Sequence, residues 1–163
     1  MPIRIHDKTN KIYMITGCHL SATSFLANAL QKVGIHMGNN FTKFTGSEKP
    51  IIDLNEKMLN IAGGSWDDPP SDENIAKLNF GDQIKNIIKG YKKHHKWGFK
   101  DSRFSLLWKH YLPYLKGDVY LFCCFRKPER IVNSSEKLNR KTVDRYNKAT
   151  IELIKEFCEV TDD

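Results

Sequence analysis

Three polar segments carry residue types suited to anion chemistry, at positions where the chain must turn. Gly17-Cys18-His19-Leu20-Ser21-Ala22-Thr23-Ser24 lies between an apolar run and a helical pattern. A tight turn at such a junction aims successive backbone N–H groups and a helix N-terminus at one point, which suits an anion. Thr23 and Ser24 add hydroxyl donors. The spacing approaches a Walker loop but departs from it: Ala22 stands at the second glycine and no Lys precedes Ser24. With Ser and Thr as simple caps, the same segment is an ordinary strand-to-helix turn.

The second segment is Phe125-Arg126-Lys127-Pro128, with Ser134 eight residues beyond Arg126. An Arg at a strand end can grip a phosphate with two N–H groups; the alternative is a surface pair with a carboxylate. The third is Trp97-Gly98-Phe99-Lys100-Asp101-Ser102-Arg103. A Lys emerging at a strand end can offset charge on a transferring group. The alternative there is an Asp or Ser helix cap flanked by solvated cations.

The elements needed to position these segments are readable from apolar spacing. Lys11–Thr16 is a β-favouring run that stops at Gly17. Ser24–Val33 has helical spacing and ends at Gly34. Residues 35–50 read as mostly loop, and Ile51–Ile61 as a helix stopped by Gly63-Gly64. Asn74–Tyr91 reads as helical, with breaks near Asn79–Gly81. Trp97–Lys100 is a second strand and Phe104–Leu115 a helix. Val119–Phe125 is the clearest strand; lacking polar alternation, it is expected to be covered on both faces. Helices are expected over Pro128–Leu138, carrying Ser134, and over Thr142 to Val160. Strands separated by helices imply an α/β fold with a central parallel sheet and right-handed crossovers. In such sheets ligands bind beyond the carboxyl ends of the strands. All three polar segments follow strand ends, so they are expected to meet in one crevice.

At 163 residues, with 40% hydrophobic and 28% charged residues, the chain suits a single globular domain over 1–163. A polar N-terminus and no long apolar run fit a soluble, cytoplasmic protein without a membrane span. The net charge of +7 favours anionic partners. Nucleic acid rests on charge alone, without a basic-aromatic motif, and Lys89, Lys92, Lys93 and Lys96 suit a solvated face equally well. Cys123 and Cys124 match no zinc spacing and read as buried thiols.

Taken in order, these segments resemble the sulfotransferase family. Ile15 to Leu26 looks like its 5′-phosphosulfate loop, which runs Gly, a basic residue, Ser-Gly-Thr-Ser/Thr, then Leu. Arg126-Lys127-Pro128 with Ser134 is similar to the 3′-phosphate motif, and Trp97–Arg103 resembles the Lys-Asp-Pro-Arg segment of bacterial and phage-type members. Leu54–Leu59 and Trp66–Pro69 resemble the middle of those proteins, so the likeness spans residues 11–147. It implies a three-layer α/β/α, P-loop NTPase-like fold. It also implies 3′-phosphoadenosine-5′-phosphosulfate as co-substrate, no metal, and a hydroxyl or amine on a small-molecule or carbohydrate acceptor.

Carried over by position, Gly17, Ser21, Ala22, Thr23 and Ser24 would hold the 5′-phosphosulfate. Arg126 and Ser134 would hold the 3′-phosphate. Phe25 falls at an adenine-stacking aromatic, though its helical position suits the core equally. Lys100, Asp101 and His19 are the catalytic candidates. Glu48, Asp53, Asp101, His19 and His36 are candidate general bases, Asp101 and Glu48 foremost. Two residues depart from the pattern: Leu20 replaces the basic loop residue, which His19 or Lys100 would have to replace, and Ala22 replaces the loop glycine. Family members continue to a further strand and basic loop, so a short or truncated member is expected. The alternative is a degenerate module that holds the nucleotide or a partner without turnover. A Walker-type kinase lacks its Lys.

Overall fold

The computed structural model describes residues 9–39, 41 and 46–159. Parts of the expected 35–50 loop (40 and 42–45), the first eight residues and the helix end expected at Val160 lie outside them.

Strand β1 (Lys11–Gly17) is the centre of a three-stranded parallel sheet, flanked by β2 (Lys96–Lys100) and β3 (Asp118–Cys124) in the order β2-β1-β3. The register pairs Ile15 with Lys100 and Gly17 with Cys124. Period-two alternation sends Ile12 and Met14 to one face, and Tyr13 and Ile15 to the other. Helix α1 (Thr23–Lys32) packs on the Tyr13 and Ile15 face through Ala27, Leu26 and Leu30. On the opposite face, α5 (Phe104–Tyr111) and α7 (Arg140–Glu159) pack against each other and on β1. Their cluster includes Phe99, Phe104 and Tyr111, whose rings meet at 5.5–5.7 Å between centroids. Burying each such ring is worth about 2 kcal/mol. The fold is thus α/β, with helices on both faces of the sheet.

The remaining helices are α2 (Lys49–Ile61), α3 (Asp72–Ala76), α4 (Gly81–Tyr91) and α6 (Pro128–Val132). Helix α2 begins two residues before the expected start, because Pro50 enters the first turn, where its missing N–H costs nothing. The expected break before Gly81 separates α3 from α4. Helix α5 closes in a 3₁₀ turn at Leu112–Tyr114.

Three expectations are corrected. Strand β3 is only partly covered: as one edge of the sheet it packs Val119 and Leu121 on one core cluster and Phe122 and Cys124 on the other, yet none of its residues is fully buried and Tyr120 is 42% exposed. Consequently Cys123 and Cys124 are half-buried rather than buried, although desolvation still pushes the Cys123 thiol up to about 12. The helix expected to reach Leu138 stops at Val132, so Ser134 lies in a turn rather than on a helix. There the Ser134 hydroxyl donates to the Arg130 carbonyl, and Ser135 Oγ accepts from the N–H groups of Lys137 and Leu138. Such local bonds compete with helix continuation. Among the described residues, no helix is long and apolar enough to cross a membrane.

Candidate functional site

Because the three strands are parallel, the turns after β1, β2 and β3 leave the sheet at one end. The first begins at Gly17, whose φ of +142° disfavours a side chain. A Cβ there would also sit 2.2 Å from the Cys124 carbonyl oxygen, so glycine lets β3 approach where the chain leaves β1. Leu20 and Ala22 both have φ of 64°, placing left-handed residues on either side of Ser21. Left-handed residues of this kind occur in backbone turns whose N–H groups bind anions. Helix α1 starts immediately afterwards, and Ala22 gives its first turn no side-chain cap. Ser21 is only 3% exposed, and its Oγ has no partner among the described residues. Thr23 is buried beside it in sequence, and Ser24 is half-buried.

The turn after β3 reaches this loop directly: Arg126 Nη1 donates to the Leu20 carbonyl at 3.1 Å. A guanidinium therefore borders the loop at the Leu20 carbonyl. The Leu20 side chain itself is 46% exposed. Phe25 is 78% exposed in the first turn of α1, which removes its reading as a core residue and leaves an aromatic face available. The Ser134 hydroxyl is bonded back to the Arg130 carbonyl at 2.6 Å.

At the end of β2, Lys100 is half-buried and donates to Ser47 Oγ at 3.1 Å. Desolvation lowers its pKa, against the opposing field of Asp101. Asp101 is 1% exposed and fully engaged. Both its oxygens accept from Arg103 Nη1, at 3.0 and 3.1 Å, and Oδ1 also accepts from the Arg103 backbone N–H. Arg103 continues to Glu56 at 2.7 Å. This arrangement makes Asp101 an anchor of the turn between β2 and α5 and leaves it little freedom as a proton acceptor.

His19 packs its ring against Trp66 and Tyr146, at centroid distances of 4.8 and 5.5 Å. Burial pulls its pKa down to about 4, so it is neutral near pH 7 and supplies no cation to the loop. Its Nε2 is buried with no hydrogen-bond partner among the described residues. Of the other proton-acceptor candidates, Asp53 is exposed and paired with Lys49. Glu48 is 5% exposed, with Oε1 accepting from the Asn39 N–H, and His36 stacks on His94 at 3.7 Å.

Sequence reasoning missed Gly46 and Ser47, which close this site from the side. Gly46 (φ +61°) packs so tightly on Ser24 that a Cβ would lie 2.7 Å from Ser24 Cα, and Ser47 meets Lys100. The only available signal was a glycine flanked by hydroxyl residues inside a long loop. Glu56, Trp66 and Tyr146 were also missed as the partners of Arg103 and His19, because contacts between distant segments leave no local pattern. No group of three or more His, Cys, Asp or Glu among the described residues could hold a metal. Comparisons with protein-family models, with curated proteins and with solved structures find no match.

Proposed function

We propose that the crevice at the carboxyl ends of β1, β2 and β3 binds 3′-phosphoadenosine-5′-phosphosulfate and that the protein is a sulfotransferase. The observation that supports this reading is the loop itself: left-handed residues flank a buried Ser21 whose Oγ has no partner among the described residues, and Arg126 is docked on the carbonyl of Leu20. Loop N–H groups, the start of α1 and the hydroxyls of Ser21, Thr23 and Ser24 would hold the 5′-phosphosulfate. Arg126 would serve the 3′-phosphate, with Ser134 after its hydroxyl turns from Arg130. Exposed Phe25 would cover the adenine. Lys100 would offset charge as the acceptor oxygen or nitrogen bonds to sulfur and the sulfur–oxygen bond to the phosphate breaks. The electron pair leaves on the phosphate, and the acceptor proton passes to a base.

The test is selective. Arg126→Ala should weaken 3′-phosphoadenosine 5′-phosphate by about tenfold or more in calorimetry, while adenosine 5′-phosphate loses little. Equal losses for both nucleotides would remove Arg126 from the 3′ site. The exposed Leu20 side chain and the neutral His19 favour a second reading, a module that binds the nucleotide without turnover. Formation of 3′-phosphoadenosine 5′-phosphate in the presence of acceptor would exclude that reading.

A further inference from the structure

The two edges of the sheet are finished differently. On the β2 side, the His36 N–H donates to the Lys96 carbonyl and the His36 carbonyl accepts from the Gly98 N–H, so a bridge caps that edge beside Trp97. On the β3 side, no strand or bridge pairs with the edge among the described residues. One contact fixes which groups are left open there. The Asp118 N–H donates to the Asn10 carbonyl, just before β1. In a parallel strand the N–H and C=O of one residue point to one neighbour, and those of the next residue point the other way. Asp118, Tyr120, Phe122 and Cys124 therefore bond toward β1, and Val119, Leu121 and Cys123 present their N–H and C=O outward.

Nothing in the strand blunts this edge. Exposed edges of soluble proteins are usually short, bulged, or marked by Pro or Lys. Strand β3 is seven residues long, keeps unbroken register with β1, and has no Pro, Lys or other charge after Asp118. Exposed apolar side chains gather on it: Tyr120 is 42% exposed and Phe125, just past its end, 48%. Tyr120 and Phe122 stack on Tyr13 at 5.1 and 6.4 Å, so a row of aromatic rings runs out to the edge. The charges are ordered along it. Asp118 opens the strand and Arg126 and Lys127 follow its end, all three exposed. An edge that is acidic at its start and basic at its end is complementary to a reversed copy of itself.

We infer that β3 is a self-association edge, on which a second copy of this chain lays its own β3 antiparallel across a two-fold axis. A pairing centred on Phe122 meets the observations together. Leu121 stands opposite Cys123 of the second copy, and the outward N–H and C=O groups of both are exchanged. Phe122 faces its counterpart on the Tyr13 side, where the two aromatic rows join into one. Asp118 lies level with Arg126 of the second copy, at both ends of the pairing. A parallel arrangement would instead set like charges side by side. The two sheets then form one continuous sheet, and the open edge is closed by the sequence that creates it.

The experiment is sedimentation equilibrium of the full chain without nucleotide, so its outcome is independent of the sulfotransferase reading. From about 1 to 200 µM protomer it should show a monomer–dimer equilibrium with a dissociation constant in the micromolar range. Tyr120→Lys, at an exposed position, puts a charge on the edge and should abolish the dimer with the thermal melt retained. Asp118→Arg and Arg126→Asp should each weaken self-association by about fivefold or more. An equal mixture of those two variants should restore it, because both ends then join opposite charges. Amide hydrogen exchange reads the phase of the pairing. The N–H groups of Val119, Leu121 and Cys123 should gain protection as protomer concentration rises, while those of Tyr120, Phe122 and Cys124 are protected throughout. If Tyr120→Lys lowers the melt, the charge mixture and the exchange pattern decide. A monomer over the whole range, a dimer that withstands all three variants, or no recovery on mixing would overturn the proposal. So would protection of Val119, Leu121 and Cys123 in the monomer, which would mean that the chain covers this edge itself.

Discussion

Asp101 and Arg103 form a buried pair, with side chains 1% and 10% exposed. Asp101→Asn leaves the buried Arg103 guanidinium with the half-exposed Glu56 as its remaining carboxylate partner among the described residues, and removing one member of a buried pair costs up to about 3–5 kcal/mol. Urea unfolding should therefore show a loss of that order. A loss below about 1 kcal/mol would return Asp101 to the list of free catalytic carboxylates. His19 gives a second residue-scale outcome. Its folded pKa of about 4 lies below the ordinary 6.5, so between those values the unfolded chain binds the extra proton. The stability tied to the neutral ring is present above pH 6.5 and is lost as pH falls toward 4, by on the order of 2–3 kcal/mol. His19→Phe should flatten that part of the stability–pH profile. Parallel profiles for the two proteins would contradict the burial of the imidazole.

At the scale of elements, the turn from β1 into α1 is the strained one. Ala22 holds φ of 64° and ψ of 17° directly before α1, a conformation that costs a residue with Cβ about 1 kcal/mol. Ala22→Gly should therefore leave stability unchanged or raise it by up to about 1 kcal/mol, where most Ala→Gly changes at helix starts weaken a protein. A thermal melt shifted clearly downward would show that the loop does not adopt this turn. The same turn marks what the sequence disclosed. The apolar run ending at Gly17, the later runs at Trp97 and Val119, and the break before Gly81 were all readable, because each rests on local spacing. The edge position of β3 was not readable: an unbroken apolar run looks alike in a central and an edge strand, and only pairing partners distinguish them. The early end of α6 was hidden because Asn133-Ser134-Ser135 can continue a helix or bond its own backbone, and the latter prevailed. In the site, the residues beside strand ends were legible. Glu48 was weighed as a base, but its burial depends on how residues 46–48 fold over α1 and β2.

The molecule as a whole is a parallel sheet that brings three separately weak segments to one end. Gly17–Ser24, Lys100 and Arg126 are spread over 110 residues and share that end because β1, β2 and β3 run the same way. The excess of +7 charges suits an anionic nucleotide, yet Lys89, Lys92, Lys93 and Lys96 are exposed, so part of it belongs to an ordinary solvated surface. The cations that would meet the proposed nucleotide are Arg126 at the loop and Lys100 at the end of β2, which donate to the Leu20 carbonyl and to Ser47 respectively. Calorimetric titration of the chain with 3′-phosphoadenosine 5′-phosphate addresses that arrangement as one unit. Binding at roughly micromolar affinity or tighter, accompanied by a rise in melting temperature, is the predicted result. No heat and no thermal shift with this nucleotide would contradict a nucleotide site at Gly17–Ser24.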